Sequence, residues 1–374
     1  MLPSTPKTFG DIRHVFSSCL SAVLGEKNHL GFRPVRQAVC VLVDGLGSHN
    51  IRERAGHAPF LSSLQTKQKG ISAGFPSTTA TSITSFATAL TPGEHGIVGY
   101  RIQDPKTKQP MNLLSGWNSE LKATDWKQAE TISEKAHSAG VRNYFVGMPE
   151  YASSGFTSIT MPNADYVPAK SIEESFNRTL EILAKAEPSL TYLYLPQLDQ
   201  TAHAFGWGSA AWSQLLEQVD AGFQLLSDRL KSHQGACLTA DHGVLDVPET
   251  GKIYLDEFEQ PVGGISLVGG DTRAAMIYLN QKDEALNYSA LLSDELGPLA
   301  WVLTKEQLVE TGWYGNFAYQ NSDRLADITL LARSRVAFYH RNFSTTNSLK
   351  MVGHHGSITD EELQVPLLRL GQFV

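Results

Sequence analysis

Val41-Leu42-Val43-Asp44-Gly45-Leu46-Gly47 is an apolar run too short for a helix, and it ends abruptly in a carboxylate and two glycines. A strand buried on both faces reads this way, because a parallel sheet covered by helices leaves no solvent face for polar residues to alternate onto. A carboxylate at such a strand end projects into a crevice while glycine lets the backbone turn away. Taken alone, the aspartate serves equally well as a helix cap or turn former.

Working outward, similar apolar runs recur at 38–43, 143–146, 190–195, 236–239, 274–279 and 328–331. Between the first several lie stretches such as 171–186 and 211–230, where apolar residues return every three or four positions. Strand, helix, strand repeated predicts an α/β fold, a three-layer α/β/α sandwich around a largely parallel sheet. Texture changes over 260–347. Pro261, Gly263, Gly264, Gly269 and Gly270 predict a flexible lead-in, followed by a strand–helix–strand pattern through 301–303 and 307–313. Residues 1–259 and 348–374 therefore read as the core, and 260–347 as an inserted small α+β cap over the carboxyl edge of the sheet.

The chain has 374 residues, 41% hydrophobic and 18% charged, which marks a well-packed globular chain rather than a disordered one. Its 31 Lys and Arg against 38 Asp and Glu leave a net charge of −7, without the basic stripe that sequence-specific nucleic-acid binding demands. No run approaches the ~18 apolar residues of a membrane span. Residues 1–14 carry Asp11, Arg13 and His14 where a signal peptide needs its apolar segment. The apolar run 15–24 reads as an amphipathic N-terminal helix, with an atypical export signal as the alternative. Cys19, Cys40 and Cys237 cannot build a disulfide framework and read as small core residues, so the expected location is the reducing cytoplasm.

Five clusters carry residues capable of chemistry. Asp44 ends the first strand. The hydroxyl-rich Phe75-Pro76-Ser77-Thr78-Thr79-Ala80-Thr81-Ser82 offers a nucleophile at a helix N-terminus, where free amides and the dipole favour an anion; an ordinary capped, buried helix is the alternative. Asp199 and His203, at i and i+4 after an apolar strand, can close on one cation or simply pair with each other. Asp241-His242-Gly243 ends a further strand, and Gly353-His354-His355-Gly356 sets a histidine pair between glycines. Oxygen and nitrogen donors without sulfur suit zinc, with manganese or iron as alternatives, and carboxylates shared with imidazoles suit a two-metal hydrolytic site.

In order and character these motifs resemble the alkaline phosphatase superfamily, within it the type I phosphodiesterase/nucleotide pyrophosphatase family. The resemblance rests on VDGLG, FPSTTATS with the following HGIVGY, LDQTAHAFG, TADHG and GHHG, spanning Val41 to Gly356. It implies that Asp199, His203 and His355 hold one zinc ion, that Asp44, Asp241 and His242 hold the other, and that Thr79 is the nucleophile and a ligand. Spacing alone leaves Thr78 and His354 as competitors of Thr79 and His355; the family pattern favours the second residue of each pair. It further implies a hydrolase of phosphoric esters or anhydrides that passes through a phosphothreonine, acting on a small phosphorylated substrate, nucleotides included. A phosphomonoesterase of the same superfamily and a catalytically inactive phospho-ligand-binding relative are the alternatives; a sulfatase lacks its nucleophile pattern here, and a phosphomutase would use serine. One departure stands out: Tyr100 occupies the place of the relatives' phosphate-binding asparagine, so its own substrate-binding role is an expectation. Arg101 and residues 111–117 are expected to line a leaving-group pocket, with Trp117 or Trp207 available to stack on a base.

Overall fold

The protein is described by a computed structural model covering residues 10–118 and 122–374; expectations for residues 1–9 lie outside the described residues. Helix α1 (Arg13–Leu24) lays Val15, Phe16, Cys19, Leu20 and Ala22 into the core, so the apolar run 15–24 is an amphipathic helix in the folded chain. Strand β1 (Gln37–Val43) is buried at every position. After helix α2 (Thr79–Thr88) come β2 (Arg142–Gly147), β3 (Asp165–Pro168), α3 (Ile172–Leu183), β4 (Ser189–Leu195), α4 (Gln197–Phe205), α5 (Ala210–Arg229) and β5 (Gln234–Thr239). A second unit contains β6 (Ile265–Asp271), β7 (Ala274–Leu279), α6 (Ala285–Leu296), β8 (Ala300–Thr304) and β9 (Ile328–Ala332), and β10 (Leu368–Gly371) returns to the first.

The central sheet runs β10-β5-β1-β4-β2-β3, parallel except for the antiparallel edge strand β10. Its helices form for local reasons. The Ser171 side chain caps α3 by accepting from the Glu174 amide, and Ile172, Phe176, Thr179 and Leu183 then share the face it buries. Ser209 caps α5 in the same way, and Trp212, Leu216, Val219, Phe223 and Leu226 recur at helical spacing against the core. The structure agrees with the α/β/α expectation. Cys19, Cys40 and Cys237 are buried free thiols inside it.

Register fixes where the chemistry can sit. Val43 lies opposite Leu195, and Leu42 lies opposite Thr239, so β4, β1 and β5 end level with one another. Whatever follows those three strands must converge on one edge of the sheet.

The second unit is an antiparallel sheet, β6-β7-β9-β8, with α6 closing a core that includes Ile277, Leu292, Leu330 and Phe338. Phe75, Ile97, Met276, Leu303 and Tyr314 form another apolar cluster that joins this sheet to the first unit. The flexible lead-in expected here is shorter than the glycines implied. Gly269 and Gly270 belong to β6, and a Cβ on Gly269 would stand 2.3 Å from the Arg101 carbonyl oxygen, so this glycine permits close strand packing. Within the expected pattern, 301–303 belong to β8, Lys305–Glu310 is a short helix capped by Thr304, and the buried Trp313 and Tyr314 follow it.

His95, quoted above for the resemblance, has a structural role. Its Nδ1 accepts from the Ile97 amide at 3.1 Å, so the neutral ring turns its Nε2–H toward Ser85 Oγ at 2.9 Å. Burial, then the nearby Arg324 guanidinium, hold this imidazole down to about 3. As pH falls below about 6.5 the unfolded chain takes up a proton that the folded chain refuses, so this contribution to stability is full above 6.5 and is lost on the way to 3. Urea midpoints should therefore drop across that window, and His95→Gln should flatten the slope; an unchanged slope would contradict the buried neutral ring.

Candidate metal centre and nucleophile

Asp44 follows β1, Asp241 follows β5, and Asp199 lies in the first turn of α4, which starts just after β4. Gly45, at φ +72°, lets the chain leave β1, and a Cβ there would stand 3.0 Å from the Asp199 side chain. The structure brings all six expected ligands together. His242 Nε2 lies 3.3 Å from Asp44 Oδ1, 3.5 Å from Asp241 Oδ2 and 3.2 Å from Thr79 Oγ1. His203 Nε2 lies 3.0 Å from Asp199 Oδ2, and His355 Nε2 lies 3.9 Å from Asp199 Oδ1. Asp44, Asp241 and His242 form one group able to hold a metal ion. In the other group His242 joins Asp199 and His355, with His203 approaching through Asp199.

The donor set fits cations. Asp44 Oδ1, Asp199 Oδ1 and Asp241 Oδ2 are each buried without a hydrogen-bond partner. Every histidine of the cluster turns its Nδ1 to a backbone carbonyl: His203 to Gly353 at 2.8 Å, His242 to Gly243 at 3.2 Å and His355 to Ser77 at 2.9 Å. A carbonyl only accepts, so each Nδ1 carries a proton and each Nε2 faces the carboxylates, as metal-binding imidazoles are oriented.

Charge in the cluster is divided. Burial, and then Asp241 and Asp199, push the Asp44 carboxyl well above its usual range. Burial also raises Asp241. Burial would raise Asp199 too, but His203, followed by His355 and His242, outweighs it and holds that carboxyl below the usual range. In return Asp199 overrides the burial of His203 and lifts its imidazole to about 9. His355, buried and beside His242, is held well below the ordinary imidazole value.

Thr79 is the first residue of α2, behind Thr78, so its hydroxyl sits where the helix offers free amides. The rest of α2 is the buried helix weighed as the alternative, with Thr84 and Thr88 satisfied by the carbonyls of Ala80 and Thr84. Ser77 bonds the Ser357 carbonyl and accepts from the Gly356 amide, which ties the nucleophile segment to the loop carrying His355. His354 turns away to Thr272 and Met351.

A cavity of about 870 Å³ opens over the cluster, lined by Thr78, Thr79, Tyr100, Arg101, Asn112 and Leu114 on one side. The aromatic walls come from Tyr151, Tyr194, Phe338 and Phe343. Neither tryptophan expected to stack there lines it. Trp117 bonds the Leu113 carbonyl and packs on Trp126, and Trp207 packs against Trp212 and Arg54. Sequence reading also missed Tyr194, whose hydroxyl donates to Asp44 Oδ2, and Asp271, which faces the cavity from the end of β6. Tyr194 has no sequence signal beyond strand alternation. Asp271 does: a strand ending Gly-Gly-Asp places a carboxylate beside glycine, as at Asp44.

Residues 38–358 match the family described as Type I phosphodiesterase / nucleotide pyrophosphatase. The chain belongs to this phosphodiesterase/nucleotide pyrophosphatase family. Among curated members, an uncharacterised pyrophosphatase/phosphodiesterase of Schizosaccharomyces pombe is 25% identical over 303 residues, covering 75% of this chain and 57% of that protein. Human ectonucleotide pyrophosphatase/phosphodiesterase family member 1 is 25% identical over 239 residues, covering 61% of this chain and 26% of the human one. The chain thus spans little more than half of one curated family member and about a quarter of the other. Among solved structures, murine ectonucleotide pyrophosphatase/phosphodiesterase 5 superposes with a TM-score of 0.69 at 20% identity, over 89% of this chain and 88% of that one. An inactive form of the same family member in complex with AMP gives a TM-score of 0.68 at 19% identity, over 90% and 88% of the two chains. The phosphodiesterase/nucleotide pyrophosphatase fold is therefore shared.

Burial and mutual repulsion raise the Asp44 and Asp241 carboxyls in the fold, so ionising them costs the metal-free protein stability; the penalty grows toward alkaline pH and fades as acid protonates the pair. Asp241→Asn should raise the melting midpoint of chelator-treated protein at pH 8 by roughly 2 °C or more while removing activity. A lower midpoint would show that the carboxylates are not in conflict.

Proposed function

We propose that the protein is a metal-dependent hydrolase of phosphoric diesters or anhydrides, nucleotide-bearing ones included, working through a phosphothreonine at Thr79. The observation that carries this reading is the set of three buried, unpartnered carboxylate oxygens beside a threonine hydroxyl at a helix N-terminus. Asp44, Asp241 and His242 would hold one cation and Asp199, His203 and His355 the other, zinc by donor set with manganese or iron as alternatives, supplying charge neutralisation at the reacting phosphorus.

The chain's own residues do the rest. Thr79 Oγ gives up its proton and forms a bond to phosphorus as the bond to the leaving oxygen breaks; the electron pair departs with that oxygen, which takes up a proton by way of solvent. Water then cleaves the phosphothreonine, releasing the phosphoryl group and restoring the hydroxyl. Amides at the start of α2 receive the charge that develops on the non-bridging oxygens. Tyr100, which the resemblance sets in place of the relatives' asparagine, stands in the cavity wall. Asn112 Oδ1 accepts from the Leu114 and Ser115 amides, which leaves its NH2 for the Tyr100 oxygen and the phenol O–H free to donate into the cavity.

The murine relative crystallised with AMP supports a nucleotide as the substrate's organic part. The aromatic walls at Tyr151, Tyr194, Phe338 and Phe343 are suited to stack on a base. The second sheet supplies one side of the cavity, in keeping with a cap at 260–347. Among the described residues, no helix is long and apolar enough to cross a membrane; a cytoplasmic location stays part of the proposal.

Thr79→Ala should reduce hydrolysis of bis-p-nitrophenyl phosphate by about 10³-fold or more while metal content and melting midpoint stay near wild type. Thr78→Ala should keep most of the activity. The reverse pattern would move the nucleophile to Thr78.

A further inference from the structure

Asp271 is a carboxylate at this site that the reaction above does not use. It ends β6, and the next two residues fix the turn rigidly. The buried Arg273 forks onto both Glu362 oxygens at 2.9 Å and gives its Nη1 hydrogens to the carbonyls of Ser334 and Val336. Thr272 Oγ1 meets His354 Nδ1 at 2.8 Å. Glu362 in turn accepts from the Ser357 amide and the Thr359 hydroxyl, so the turn is clamped to the loop that carries His355. Held this way, Asp271 faces the cavity together with Thr78 and Thr79.

Its Oδ2 is buried without a hydrogen-bond partner, and so is the Thr78 hydroxyl, although Thr78 is near enough to ease the carboxylate's burial. A buried, unpaired carboxylate oxygen is costly to the fold. Such a group is explained when it acts on what enters the cavity, because unfavourable charge is an effective means of rejecting a wrong ligand.

Beyond the metal-binding cluster itself, the cavity's basic side chains indicate which ligand is rejected. Among the described lining residues the Lys and Arg side chains are Arg101, whose guanidinium is engaged by the Phe343 carbonyl, and Lys350, which is exposed. Neither is free and buried to balance an additional negative charge. A phosphomonoester brings two charges on its terminal oxygens at alkaline pH, whereas a diester brings one.

We propose that Asp271 is a specificity-determining residue that faces the non-bridging oxygens and penalises a doubly charged phosphoryl group, selecting diesters over monoesters. This rests on the phosphoric-ester reading of the site. Thr78 supports the role by standing beside the carboxylate, and the Arg273–Glu362 clamp prevents Asp271 from swinging away.

The test compares kcat/KM for p-nitrophenyl phosphate and bis-p-nitrophenyl phosphate at pH 8.5 in the metal-loaded wild type, Asp271→Asn and Asp271→Ser. Asn keeps the shape of the side chain without its charge, and Ser is a second neutral replacement of smaller volume. In either folded variant the monoester-to-diester ratio should rise tenfold or more, chiefly through a gain on the monoester. An unchanged ratio, or an equal fall on both substrates, contradicts the assignment of Asp271. A wild type inert toward both esters contradicts the phosphoric-ester reading itself.

Discussion

Three carboxylates cannot share a buried edge of a sheet unless something neutralises them, and this constraint organises the site. Asp44, Asp199 and Asp241 meet because β1 is flanked in register by β4 and β5 and all three strands end level. Like charges in a desolvated pocket push one another toward protonation, as the raised carboxyls of Asp44 and Asp241 show. His203, lifted by Asp199, answers part of this charge, and the oxygens left without partners are where cations would sit.

The surroundings hold the cluster in that conflict. The backbone carbonyls of Gly353, Gly243 and Ser77 fix the tautomer of each histidine, so the protein chooses which nitrogen faces inward. Ser77 and Gly356 join the nucleophile segment to the His355 loop. The fully buried Arg273–Glu362 pair joins that loop to the second sheet. Breaking one partner of such a pair leaves a stranded charge, at a cost of about 3–5 kcal/mol, so the geometry of the cluster depends on contacts well outside it.

Much of this was legible from the sequence because it is local. A strand buried on both faces leaves an unbroken apolar run, and a carboxylate placed directly after it, as at Asp44 and Asp241, is conspicuous against that run. Asp199 and His203 stand out through helical spacing alone. The remainder was hidden because it depends on tertiary approach. Trp117 and Trp207 sit near the right motifs in the chain but fold onto Trp126 and Trp212. Asp271 reaches the cavity from the second sheet, and Phe338 and Phe343 from the short strand and turn that follow it, all more than 60 residues beyond His203 in the sequence. Gly269 looked like a flexible joint and is instead the point where β6 packs against Arg101.

By its donor set the Asp/His cluster suits two cations. Isothermal titration of chelator-stripped protein with zinc, with proton release followed in parallel, addresses it most directly. Two equivalents should bind per chain with net proton release, because Asp199 holds a proton on His203 until a cation replaces it and the raised Asp44 and Asp241 carboxyls ionise fully against the cation. Saturation at no equivalents, or binding without proton release, would contradict it.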